Sequence, residues 1–174
     1  MIMRCGTYKL ITFLLGILLL TKVEAGTPPQ APAWNGGEIS WNDLRSGVPE
    51  ANRSGKTVMM VFYTSWCTSC RQYRSLFLDK RVVDASRNLV MILVDAEEDK
   101  VANGAFAPDG TYVPRTIFLT PEGDIRTDLV GKTDQEHPHS IDIKNVDELL
   151  SLMLKAGSEN QEQGTFSTDQ RASN

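Results

Sequence analysis

Cysteine is nearly absent from the 174-residue chain, which has only Cys5, Cys67 and Cys70. A framework stapled by several distant disulfides is therefore excluded. Histidine is scarcer still, with His137 and His139 alone. Structural zinc takes four ligands, and these two flank a proline in a polar stretch far along the chain from Cys67 and Cys70, so they read as ordinary loop residues and no metal site is expected. Positive charge is not in excess either: 18 Lys and Arg stand against 22 Asp and Glu, a net charge of −4. That balance leaves no electrostatic footprint for nucleic acid. Ser54-Gly55-Lys56-Thr57 ends like a phosphate-binding loop, but Glu50 occupies the place of its leading glycine. Asp95-Ala96-Glu97-Glu98-Asp99 begins like a calcium loop, yet Lys100 and Phe106 fall where glycine and the closing glutamate belong. It reads as a solvated acidic face. No internal repeat is present.

Long apolar runs are missing as well. The longest, Leu10 to Leu20, has 11 residues, whereas a membrane-spanning helix takes about 20. Arg4 and Lys9 precede it and Val23-Glu24-Ala25 follows, the pattern of a cleaved signal peptide over residues 1–25 with no stable membrane anchor. There is no Leu-x-x-Cys lipid-attachment pattern. Removal of Arg4, Lys9, Lys22 and Glu24 with the leader takes the net charge from −4 to −6. It also removes Cys5 and leaves a single close pair. Closing so short a loop constrains an unfolded chain very little, so Cys67 and Cys70 are expected to do chemistry rather than to staple.

What is present is Trp66-Cys67-Thr68-Ser69-Cys70, between an apolar run over 57–63 and a helix-like segment over 67–78. A strand, a tight corner and a helix opening at Cys67 place that sulfur at the positive end of a helix, facing its free N–H groups. Thiolates are the reactive form, and this setting favours them. Cys70 falls on the same side of the helix, within reach of Cys67. The pattern points to a thiol–disulfide oxidoreductase with no organic cofactor. Thr68 and Ser69, between the sulfurs, are candidates for tuning the thiolate, and Trp66 is a candidate shield or substrate contact.

Along the chain, 26–33 holds three prolines and reads as an extended linker. Ser40 is a candidate cap for a helix beginning near Trp41 and kept short or broken by Gly47 and Pro49. A second helical piece is expected over 80–86, and a strand buried on both faces over 89–94. With the 57–63 strand this makes a right-handed parallel βαβ unit. A polar loop, with room for a helical turn, runs to Gly110. Strands follow at 116–119 and 125–130, joined by a hairpin turn at Pro121-Glu122-Gly123-Asp124. After a polar loop over 131–140 comes a last helix over 145–156, and 158–174 is expected to be a disordered tail. Asn52-Arg53-Ser54 is a glycosylation sequon.

Strand–helix–strand, hairpin and helix, with Cys-x-x-Cys at the first corner and Val113-Pro114 before the third strand, resembles the thioredoxin-like superfamily. Phe106-Ala107-Pro108-Asp109-Gly110-Thr111-Tyr112-Val113-Pro114-Arg115 is similar to one vertebrate group within it, the single-domain endoplasmic-reticulum thioredoxin (thioredoxin domain-containing protein 12) and anterior gradient family. The resemblance spans 34–157 and includes the Trp34-to-Trp41 lead-in, the acidic loop after the second strand and the 131–143 connection. It implies an α/β thioredoxin-like domain with a central mixed β-sheet flanked by helices. It further implies that Cys67 attacks, Cys70 resolves, Pro114 is cis against the disulfide, and the Val113 backbone pairs with an extended substrate peptide. Expected partners are disulfide-containing client proteins, with glutathione a candidate co-substrate and the protein a monomer.

The chain departs from the group in three respects. Thr68-Ser69 replaces the common glycine-containing pairs. Val61 stands where thioredoxin has a buried acid, leaving Arg115, Asp95 or water as substitutes. The ending Arg171-Ala172-Ser173-Asn174 is not a retention signal, so a reticulum lumen and secretion both stay open. Two alternatives also stay open: a non-catalytic anterior-gradient-like chaperone or binding module, and an exported bacterial reducing thioredoxin.

Overall fold

The computed structural model describes residues 26–169, with side chains to residue 158. The expected signal peptide lies outside the described residues. Two apolar runs form the centre. Val58–Tyr63 (β2) and Val90–Asp95 (β3) pair in parallel, Val58 opposite Val90 and Tyr63 opposite Asp95. Arg115–Leu119 (β4) pairs antiparallel with β2, and the two-residue strand Trp41–Asn42 (β1) pairs parallel with β3. The order β1-β3-β2-β4 is a mixed sheet, as expected.

Every residue of β2 is buried because both faces are covered. Alternation along the strand divides the core. Met59, Val61 and Tyr63 face one side, with Thr68–Tyr73 (α2), the 3-10 turn Arg74–Leu78, Lys80–Ser86 (α3) and Val146–Asp169 (α5). Val58, Met60 and Phe62 face the other, with Leu44–Ser54 (α1) and Lys100–Ala105 (α4). Full burial of each such side chain contributes about 1.5–3 kcal/mol. Trp34 anchors the first side, its ring 5.5 Å from Tyr63 and 5.6 Å from Phe77, while its carbonyl accepts the Trp41 indole N–H at 2.7 Å.

Several sequence expectations change. The 125–130 strand shrinks to one bridge, Leu119 to Ile125, and one further hydrogen bond from Arg126 N to Phe118 O. The Arg126 side chain then grips Asp128 two residues on, and Leu129 N turns back to Arg126 O while its side chain enters the core. The turn at 120–124 forms, with Gly123 at φ 101°.

Ser40 does not cap a helix. It precedes edge strand β1, and the cap is Asp43, whose side chain accepts from Ser46 N at 2.8 Å. Helix α1 then runs unbroken through Gly47 and Pro49 for 11 residues. An internal proline costs about 3 kcal/mol in an isolated helix; here the helix is held by the sheet beneath it, where Gly47 and Ala51 are buried.

The lead-in is not extended throughout. It turns at Pro29-Gln30 into a 3-10 helix, Ala31–Trp34, and Gly26 O accepts from Asp43 N at 2.7 Å. Helix α5 continues past Ala156 to Asp169, into the stretch read as tail. Gly157 costs only about 1 kcal/mol in a helix, and no proline follows it.

Candidate active site

Tyr63 ends β2, the chain turns at Ser65-Trp66, and Cys67 becomes the N-cap of α2. Its backbone is extended (φ −67°, ψ 114°) and its Sγ accepts the Cys70 backbone N–H at 3.0 Å. A free amide of the first helical turn therefore points at this sulfur, which stabilises negative charge there. Cys67 and Cys70 are disulfide-bonded, with Cα atoms 5.2 Å apart. The Val113–Pro114 bond is cis, as the resemblance implies, and the Val113 carbonyl oxygen lies 3.8 Å from Cys67 Sγ.

Both cysteines are nearly covered, Cys67 at 4% and Cys70 at 3% exposure. Their surroundings are open: Ser65, Trp66, Thr68 and Ser69 are exposed. Trp66, at 63% exposure, is a surface ring beside the disulfide and not core packing. Thr68 and Ser69 occupy the first turn of α2. The Thr68 hydroxyl accepts from Arg71 Nη2 at 2.9 Å, and Arg71 Nη1 reaches Trp66 O at 3.4 Å. Arg71 was not singled out from the sequence, although its place four residues after Cys67 on a helix was a usable signal. It sets a positive charge at the corner that carries Cys67.

Arg115 is fully buried, but its hydrogen bonds lead away from that corner. They go to the carbonyl oxygens of Asn103, Phe106 and Tyr112 and to Asn103 Oδ1, and its guanidinium stacks 4.3 Å over the Phe62 ring. Burial pulls its basicity down, partly offset by Tyr112 and Asp109. Asp95 engages Tyr63. Burial first, and the Asp95 carboxylate second, hold the Tyr63 phenol above its usual range. Val61 is fully buried. Beside Cys70 lies a cavity of 60 Å³ bordered by Gln30, Trp34, Thr64, Arg71 and Arg74, large enough for water. Asn52 is exposed on α1, away from this site.

His139 departs from the reading of an ordinary loop residue. It is buried, and its Nδ1 lies 3.0 Å from Asp109 Oδ1. Nothing in the local sequence announces this, because the partner is 30 positions away. His137 stays half-exposed, paired with Asp134 at 3.1 Å.

Residues 40–121 match the thioredoxin-like family model, and the chain carries a thioredoxin-like domain with the fold of that family. The chain therefore places a Cys-x-x-Cys pair in disulfide contact, an arrangement able to carry out thiol–disulfide exchange. More narrowly, it is similar to anterior gradient protein 1 of Xenopus tropicalis, 29% identical over 124 residues that make 71% of this chain and 65% of that one. It is also similar to anterior gradient protein 3 of Mus musculus, 26% identical over 125 residues, 71% of this chain and 74% of the relative. The thiol:disulfide interchange protein DsbD of Pseudoalteromonas atlantica is 36% identical over 85 residues, 47% of this chain but only 14% of its own length. A thioredoxin from Thermus thermophilus shares the fold, with a TM-score of 0.50 at 21% identity over 70% of this chain and 92% of that one. Among the described residues no helix is long and apolar enough to cross a membrane.

Proposed function

We propose that this chain reduces or forms disulfides in client proteins of the secretory pathway, within the endoplasmic reticulum lumen or after secretion. The observation that carries this reading is the placement of Cys67 Sγ. It caps α2, accepts the Cys70 N–H, touches Cys70 Sγ and faces the Val113 carbonyl. In the reducing direction the Cys67 thiolate attacks one sulfur of a client disulfide. A mixed disulfide forms and the other client sulfur leaves as a thiolate. Cys70 then gives up its proton and attacks Cys67 Sγ, which closes the Cys67–Cys70 bond and releases the second client thiol. Two electrons pass from the pair to the client; two thiol equivalents, such as two glutathione molecules that leave joined as a disulfide, restore the dithiol. The reverse sequence oxidises a client.

Several features support the roles assigned. The Val113 amide makes no hydrogen bond among the described residues, which leaves it to an extended client strand. Trp66 and Pro114 border that approach, and Thr68 acts through Arg71. The cavity beside Cys70 gives its proton a route to water, while the Arg115 guanidinium is committed to the carbonyl oxygens of Asn103, Phe106 and Tyr112. The signal-like leader supports the secretory address. Metal and organic cofactors have no part in these steps, and one chain suffices for them.

The test is a Cys70→Ser variant incubated with oxidised client extract. Mixed disulfides captured through Cys67, resolved by reductant and absent from Cys67→Ser, support the reading. The near-complete cover of both cysteines favours one rival, an anterior-gradient-like binding module that does no redox chemistry. Client binding that survives loss of both sulfurs, with no mixed disulfide trapped, would establish that rival.

A further inference from the structure

Val113 and Pro114 are held from both ends. After them, Arg115 is fully buried and bonds back to the Tyr112 carbonyl at 2.9 Å, and Thr116 N donates to His139 O at 2.9 Å. Before them stands a second anchor. The Tyr112 hydroxyl donates to Asp109 Oδ2, the other Asp109 oxygen lies 3.0 Å from His139 Nδ1, and His139 N approaches both Asp109 Oδ2 (3.3 Å) and the Tyr112 oxygen (3.2 Å). The side chains of Asp109 and His139 are 13% and 6% exposed. His139 thus fastens both sides of the Val113–Pro114 step: its ring and amide hold the residues before it, and its carbonyl holds the strand after it.

A buried carboxylate facing an imidazole is costly unless both are satisfied. Asp109 Oδ1 and both imidazole nitrogens are buried without a hydrogen bond among the described residues, so Nδ1 and Oδ1 meet at 3.0 Å as a close polar contact. An apolar side chain would fill this space at lower cost, so filling space is not enough to account for a histidine there. The group it controls is the Val113 carbonyl, which sits at Cys67 Sγ.

We propose that Asp109, Tyr112 and His139 form a clamp that fixes the Val113–Pro114 segment against Cys67, and that Asp109 and His139 are positioning residues for capture of an extended client peptide. The clamp acts through the backbone and touches neither sulfur. It joins the 131–140 connection to the active site, which gives that otherwise irregular loop a task. The proposal rests on the oxidoreductase reading for its consequence, though not for its geometry.

The experiment compares the full chain with Asp109→Asn, His139→Gln and the milder Tyr112→Phe, all checked for folding by circular dichroism. Reduction of an unstructured peptide bearing one disulfide is measured together with amide hydrogen exchange at residues 112–116. Loosening a binding segment by a fraction of an ångström is expected to raise KM for the peptide about tenfold, with kcat changed less than about threefold. Amide exchange at Val113 and Thr116 should quicken in the same variants. Unchanged KM and unchanged exchange in folded variants would overturn the clamp, as would a loss confined to kcat. If the unaltered chain reduces no peptide at all, the oxidoreductase reading has failed, and amide exchange alone then decides whether the clamp exists.

Discussion

The hydroxyls of Tyr73 and Thr116 meet at 2.7 Å in the core, joining the helix that carries Cys70 to the strand that follows Pro114. Tyr73 also packs its ring 6.3 Å from Trp34 and 5.4 Å from Phe77. Burial holds its phenol protonated well above the ordinary range, against the opposing pull of Thr116. Tyr73→Phe keeps the ring and removes the bridge. The expected loss is about 1–3 kcal/mol, because the Thr116 hydroxyl is left buried without its partner. Urea unfolding of the oxidised protein measures it.

Arg71 places its charge between Trp66 O and the Thr68 hydroxyl. Arg71→Ser removes a cation that favours the Cys67 thiolate. Alkylation of the reduced protein at neutral pH is expected to slow by about threefold, and the difference should shrink at high salt because the group is exposed. Thr68→Ala, which only frees the guanidinium, should have a smaller effect in the same direction.

Asp109 gives a pH dependence whose sign is fixed. Burial pushes its carboxyl up, but the Tyr112 hydroxyl and His139 outweigh that and leave it below its usual value. A depressed carboxylate contributes stability above its unfolded-state pKa and loses it as pH falls through the folded-state value. Asp109→Asn is therefore expected to be less stable than the unaltered protein at pH 7 by about 1–3 kcal/mol. The gap should close on acidification below about pH 4. Thermal melting at a series of pH values checks this; a gap that widened with acid would reverse the sign.

Gly47 sits where helix α1 crosses the sheet, and a Cβ there would fall 2.5 Å from Ile92 Cδ1. Alanine is the better helix former by about 1 kcal/mol, yet Gly47→Ala is expected to destabilise by about 1–3 kcal/mol because Ile92 is fully buried and must move. Chemical denaturation of the variant decides which effect wins.

The central strands, the helix opening at Cys67 and the parallel unit were legible because unbroken apolar runs and a Cys-x-x-Cys corner leave few alternatives. Strand β1 was not. Two residues carry no periodicity, and Trp41-Asn42 pairs only because β3 offers a free edge. The 125–130 run looks like a strand, but Arg126 and Asp128 bind each other and Lys155 draws Asp128 toward α5, so the chain leaves the sheet. At the site, Cys67, Cys70, Val113 and Pro114 came from motif and resemblance. The distant partners, Thr116 for Tyr73 and His139 for Asp109, are products of tertiary packing that no local pattern encodes.

The most direct test of thiol–disulfide chemistry at Cys67 and Cys70 is equilibration of the protein in glutathione buffers of graded potential, read by tryptophan fluorescence with Trp66 beside the disulfide. One reversible two-electron transition, lost in Cys67→Ser and Cys70→Ser, is the predicted result. Sulfurs that stay in one state across the whole range, or a transition that persists without them, would contradict it.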